Sequence, residues 1–134
     1  MQTDASDKVW SVVLKTDLNE ICEYHSWTFS QTEENYNTME KEILDIIRGI
    51  KKWRLFLLPK PFKVLTDNKA LTTFVKQVLD NVPHMRKLHR WQTFLSQFNA
   101  VYEHVSGNHN FLVDYLTRRE EYLNNDDSRK TKRA

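Results

Sequence analysis

An α/β fold, with a five-stranded mixed sheet flanked by helices, is the class this sequence predicts. Three observations lead to it. The elements read in the order β-β-β-α-β-α-α-β-α, for which a mixed sheet with helices on its faces is the natural packing. The length of 134 residues suits one compact domain. Four Trp, five Tyr and seven Phe, spread along the chain, supply a single core.

Residues 1–6 read as a short strand, and Asp7-Lys8 as the turn into a second strand at 9–15. A third follows at 22–29. The second and third are rich in β-branched and aromatic residues, broken by polar ones at short intervals. Asp17, Asn19 and Glu20 suit the hairpin turn between them. Asn37 is a good N-cap, and Glu40 three residues on completes a capping-box-like arrangement. Met39, Ile43, Ile46, Ile47, Ile50 and Trp53 then recur at helical spacing, until Leu58-Pro59-Lys60-Pro61 ends the helix. A fourth strand at 62–66 runs into Asp67-Asn68, and a short helix is expected over 70–78. Pro83 opens another helix with Leu88, Trp91, Leu95 and Phe98 on one face. A fifth strand at 100–105, a loop at 106–110 and a final helix at 111–123 complete a domain at 1–123. Residues 124–134 are polar and charged, and are expected to form a disordered tail.

Composition narrows the function classes. Two glycines and three prolines exclude a collagen-like or low-complexity chain. Cys22 is the only cysteine, so an intrachain disulfide or cysteine-based zinc site is excluded, and an oxidising compartment is not indicated. No apolar run approaches the roughly 18 residues of a membrane span, and the first residues lack a signal-peptide pattern. A strand starting directly after Met1 suggests a domain cut from a longer polypeptide. The formal charge of +2 does not itself call for nucleic acid. Its distribution says more: Lys51, Lys52, Arg54, Lys60 and Lys63 lie in a run without a carboxylate, and His84, Arg86, Lys87, His89 and Arg90 form a second run. Solvated surface is the alternative reading of both.

Four short segments carry acids: Thr3-Asp4-Ala5-Ser6, Glu40-Lys41-Glu42-Ile43-Leu44, Leu65-Thr66-Asp67-Asn68, and Asn110-Phe111-Leu112-Val113-Asp114-Tyr115-Leu116-Thr117-Arg118. Singly each has a bland reading: Asp4 as a turn residue, Asp67-Asn68 as a helix cap, Asp114 as a helix-surface charge. In this order and spacing they resemble the ribonuclease H domains of gypsy-type retroelements and of plant pararetroviruses of the caulimovirus group, with the badnavirus and tungro-bacilliform type nearest. Residues 35–42 resemble that family's segment before its catalytic glutamate. The resemblance spans about residues 3–118.

The resemblance implies a ribonuclease H-like fold and a metal-dependent endoribonuclease that cuts the RNA strand of RNA–DNA hybrids during reverse transcription. Such chemistry must activate a water and stabilise the departing oxygen, which two divalent ions about 4 Å apart can do. Mg²⁺, with Mn²⁺ as substitute, prefers oxygen ligands and keeps several waters, so a few carboxylates suffice. By resemblance Asp4 bridges both ions, Glu42 and Asp67 hold one, and Asp114 completes the other. Helical phase does not separate Glu42 from Glu40; only the family register selects Glu42. Two histidines compete for an assisting role, His104 at the end of the fifth strand and His109 on the loop, and a third reading gives neither any role.

Sensing ribose on one strand and deoxyribose on the other points to Ser6, Asn68, Thr72 and Thr73 beside the acids, and to Arg86, Lys87 and Arg90 on the basic helix. Trp10, Trp27, Trp53 and Trp91 read as core or sheet-face residues, since a duplex offers no unstacked bases. His25, mid-strand, reads as structural. The expected partners are an RNA–DNA hybrid and an adjoining polymerase domain of the same polyprotein. The isolated domain should be monomeric, independent of membranes, and at work in the host cytoplasm or in virus-like particles. Two rivals remain: a non-catalytic tether of the same fold, against which the four retained acids argue, and another nuclease on this fold, such as a junction resolvase or an exonuclease.

Overall fold

β-Branched and aromatic residues build the first sheet half as expected. In the computed structural model, which describes residues 1–18, 20–58, 60–80 and 84–106, β1 (Gln2–Ala5), β2 (Val9–Lys15) and β3 (Ile21–Thr28) form an antiparallel meander, with Asp4 opposite Ser11 and Val12 opposite His25. Ser6 closes the first turn: its Oγ donates to the Val9 carbonyl at 3.2 Å and accepts the Val9 N–H at 3.1 Å. The second turn is closed by the Thr16 N–H donating to the Glu20 carbonyl at 2.8 Å.

A four-residue helix, α1 (Gln31–Glu34), was not expected from the sequence. Ser30 caps it, and Glu33 reaches back to the Ser30 N–H in a complete capping box. The long helix α2 (Thr38–Lys52) begins where Asn37 and Glu40 predict. Asn37 Oδ1 accepts the Glu40 N–H at 2.8 Å, and Glu40 Oε1 accepts the Asn37 N–H at 3.1 Å. Ile43, Ile46, Ile47 and Ile50 are buried on its inner face. At Gly49 the helix presses on the sheet, where an added Cβ would stand 2.6 Å from Met1 Sδ and 3.0 Å from Val12 Cγ1. Only glycine permits that approach without displacement.

The helix ends earlier than the prolines suggest. Trp53, 1% exposed, leaves helical geometry at φ −109°, ψ 25°. The chain then restarts as α3 (Arg54–Leu57), which buries Leu57 and leaves Leu55 and Phe56 outside. Strand β4 (Phe62–Thr66) forms as predicted.

The expected α-helix at 70–78 is instead a 3₁₀ segment, Lys69–Lys76. Local hydrogen bonding accounts for the tighter winding. Asn68 Oδ1 accepts the Ala70 N–H, and the Thr72 and Thr73 hydroxyls donate to the carbonyls three residues back, Lys69 and Ala70. Leu71 and Phe74, three apart, then fall on one buried edge. Helix α4 (Met85–Ser96) follows His84, whose φ of 58° is left-handed, and β5 spans Ala100–His104.

The sheet order is β3-β2-β1-β4-β5, with β1–β4 and β4–β5 parallel and the rest antiparallel. This is the predicted five-stranded mixed sheet with helices packed on it. α2 lies on β1 and β2, the 3₁₀ segment lies on β5, and α4 packs on both α2 and the 3₁₀ segment. Trp10, Val12, Ile43, Ile46, Ile50, Val64, Phe74, Leu95 and Phe98 meet in one core. The expected final helix at 111–123, the polar tail, Asp114 and His109 lie outside the described residues.

Candidate metal centre

Parallel pairing of β1 and β4 brings their carboxyl ends to one edge of the sheet, where open mixed sheets tend to bind ligands. Asp4 lies near the end of β1, Asp67 directly after β4, and Glu42 in the first turns of α2 above β1. One carboxylate oxygen from each can be chosen so that all three lie within 4.8 Å of one another. Among the described residues this is the one cluster of metal-ligating groups.

The three acids differ in environment. Asp67 is exposed, Asp4 half-buried and Glu42 buried. Glu42 accepts a backbone hydrogen bond from Ala5, while its Oε2 is buried with no hydrogen-bond partner among the described residues. Burial pushes the Glu42 carboxyl up to about 8, and the neighbouring charges of Asp67 and Asp4 add to the rise. Oxygen donors only, one of them orphaned, with crowded like charge and an open side at Asp67, fit a hard divalent cation that retains several waters.

Structure also separates what helical phase could not. Glu40 turns away from the cluster to pair with Lys87, whereas Glu42 faces Asp4 and Asp67. His104 ends β5 opposite Thr66, the residue before Asp67, and is exposed at the same edge of the sheet. The candidate substrate groups divide. Arg86 and Arg90 are exposed on α4. Lys87 is turned inward: its side chain is 16% exposed, paired with Glu40 and 3.7 Å from the Tyr36 ring centroid. Its ammonium is thus engaged within the fold. Ser6 serves the β1–β2 turn, and Thr72, Thr73 and Asn68 bond to their own backbone beside Asp67.

The basic run from 51 to 63 is largely internally answered. Lys52 and Lys63 pair with Glu23 and Glu103, while Lys51 and Arg54 lie over the Phe94 and Phe98 rings. Trp10 and Trp53 are core residues as expected, and Trp91 packs edge-on against Tyr36. Trp27 is exposed on β3, opposite Trp10 and on the same sheet face, stacked on His25, which also meets Trp10.

Asp45 escaped the sequence reading. It is fully buried, with neither carboxylate oxygen in a hydrogen bond of normal geometry, although the Asp4 backbone lies close. Desolvation, then Glu42 and Asp4, drive its carboxyl well above the ordinary range. The available signal was its spacing: three residues after Glu42 and four before Gly49, on the sheet-facing stripe. Asp45→Ala removes a buried acid and gains helix propensity, so a stabilisation of about 1–3 kcal/mol is expected. Urea unfolding at pH 7 with chelator measures it, and a lower midpoint would show that Asp45 has a partner worth keeping.

Residues 1–98 match the family described as the RNase H-like domain found in reverse transcriptase. The chain belongs to this family. The RNase H-like domain is 41% identical over 119 residues to the enzymatic polyprotein of Carnation etched ring virus, and 39% identical over 122 to that of Figwort mosaic virus. These alignments cover 87% and 88% of the chain but only 18% of each polyprotein, so the chain spans about a fifth of the relatives it matches. The genome polyprotein of Petunia vein clearing virus is 36% identical over 125 residues, covering 91% of the chain and 6% of the polyprotein. In fold, the domain is similar to LC11-RNase H1 solved with an RNA/DNA hybrid, at TM-score 0.71 and 14% identity over 91% of this chain and 96% of that one. It is also similar to the foamy viral protease-reverse transcriptase solved with an RNA/DNA hybrid, at TM-score 0.65 and 17% identity over 79% and 15% of the two chains.

Proposed function

We propose that the domain hydrolyses the RNA strand of RNA–DNA hybrids within a viral reverse transcriptase polyprotein, with divalent ions, Mg²⁺ or Mn²⁺, held at the acidic cluster. The observation that carries this reading is the convergence of Asp4, Glu42 and Asp67 from three elements of a reverse-transcriptase RNase H-like domain. Two ions bound there would activate the attacking water and neutralise the departing oxygen. Asp4, on β1, would offer its carboxylate to both ions. Glu42 supplies its orphaned Oε2, and Asp67 opens the cluster to solvent and substrate. Asp114, by its motif, is the fourth ligand. The deciding experiment offers labelled RNA–DNA hybrid, double-stranded RNA and double-stranded DNA to the protein with Mg²⁺ or Mn²⁺. Cleavage confined to the RNA of the hybrid is expected; bound hybrid left uncut under both ions would make the domain a tether.

Two further outcomes follow for substrate handling. Arg86→Ala with Arg90→Ala removes two exposed cations from α4, so hybrid binding should weaken and its logarithmic salt slope should fall by roughly 1–2. An unchanged slope in a filter-binding salt series would return α4 to plain surface. His104 stands at the reactive edge with a side chain suited to proton transfer or product release. His104→Ala should slow turnover roughly 10–100-fold without weakening hybrid binding, at the low end of acid–base effects, and His109→Ala should do less. Near-wild-type rates in both variants would leave catalysis to the acids and ions alone.

A further inference from the structure

We infer that α4 is a strut setting the separation of Glu42 and Asp67, with Lys87 and Gln92 as its positioning residues; this rests on the proposed role of those acids as ion ligands. Neither acid is held in place by a side-chain donor among the described residues. Glu42 has one backbone hydrogen bond, from Ala5, and Asp67 is exposed beyond the end of β4. Their spacing therefore depends on how α2 and the Asp67 segment are fixed relative to one another.

α4 grips both. Near its start, the Lys87 ammonium pairs with Glu40, two residues before Glu42, in a site where the side chains are 16% and 7% exposed. The same ammonium lies 3.7 Å from the Tyr36 ring centroid and 5.1 Å from that of Trp91, and those two rings meet edge to face. The result is a cation enclosed by one carboxylate and two aromatic rings at the N-terminal end of α2, a far stronger hold than an open surface pair. About 7.5 Å further along the helix axis, at the helical rise per residue, Gln92 Nε2 donates to the Phe74 carbonyl at 2.7 Å and the Gln77 carbonyl at 2.8 Å. Those carbonyls close the 3₁₀ segment that begins two residues after Asp67. Because Arg86 and Arg90 stand exposed on the same helix, the element offered to the hybrid is also the one that spaces the ligands.

Glu40 permits a clean dissection. Its Oε1 serves the α2 cap and its Oε2 the Lys87 pair. Glu40→Gln keeps a capping-box residue while removing the charge that holds Lys87. Free Mn²⁺ is measured by its electron paramagnetic resonance signal during titration of wild type, Glu40→Gln, Lys87→Met and Gln92→Ala, each first checked for native far-UV circular dichroism. Supporting groups that orient ligands typically govern 10–100-fold in affinity, so each variant should bind Mn²⁺ about 10-fold more weakly with its fold retained. Wild-type Mn²⁺ affinity in Glu40→Gln and Gln92→Ala alike overturns the strut. Failure of the wild-type protein to take up Mn²⁺ refutes the metal-centre reading itself, so the two failures are distinguishable.

Discussion

Asp67→Asn is expected to abolish hybrid cleavage while leaving the fold intact. Asp67 is exposed, so the amide disturbs no core packing, and any loss reports on chemistry rather than folding. The substitution keeps the shape but exchanges an anionic ligand for a neutral, weaker one. Ions at such a site contribute several kcal/mol of charge stabilisation in the transition state, so the rate should fall by roughly a thousandfold or more. Asp4→Asn should match it, because Asp4 completes the same 4.8 Å cluster from the neighbouring parallel strand. Single-turnover cleavage of labelled hybrid measures both variants. A rate within tenfold of wild type in either would remove that acid from the site.

Without divalent ions, the domain should lose stability as pH rises from about 4.5 to about 8. The folded state lifts the Glu42 carboxyl from 4.5 to about 8, so across this window it binds more protons than the unfolded chain. Stability then falls with rising pH, because its slope follows protons bound in the unfolded minus the native state. Below the window Glu42 is protonated in both states and costs nothing; above it, the full penalty applies, on the order of 5 kcal/mol for this buried acid. Asp45, raised in the same direction, steepens the trend. Glu42→Gln should flatten the profile, and millimolar Mg²⁺ or Mn²⁺ should flatten it for the wild type. Urea midpoints at pH 5 and pH 8 in chelator decide the matter. A Glu42→Gln profile parallel to wild type would place the pH dependence elsewhere.

Most of the architecture was legible because its signals are local. Asn37 and Glu40 announce α2 through contacts within a few positions, and the β-branched and aromatic run at 9–15 announces β2 by its composition. Asp4 and Asp67 were brought to one edge by the family resemblance alone, because strand ends are readable from the residues while the pairing between strands is not. What escaped depends on tertiary surroundings. Four residues are too few for α1 to show a periodic face. Trp53 breaks its helix to fill the core, although its apolar character fits the helical pattern. The 3₁₀ winding follows from side chains that bond to nearby carbonyls instead of outward. Lys87 reads as one cation among several until Tyr36 and Glu40, about fifty positions earlier, are seen to enclose it. Asp45 runs against every expectation for a buried position, and such violations are where sequence rules fail informatively.

The junction between β1 and β4 bears on the order in which the molecule assembles. The first three strands join through short turns, whereas β1 meets β4 across a gap of 62 positions, as in the bond from the Met1 amine to the Lys63 carbonyl at 2.7 Å. Closing so long a loop is entropically slower than forming a meander. Asp4 and Glu42 both belong to the stretch before that closure, and Asp67 arrives only with it. The acidic cluster is therefore complete only once that closure is made: a nascent polypeptide ending before β4 would carry two of the three described acids yet no complete cluster.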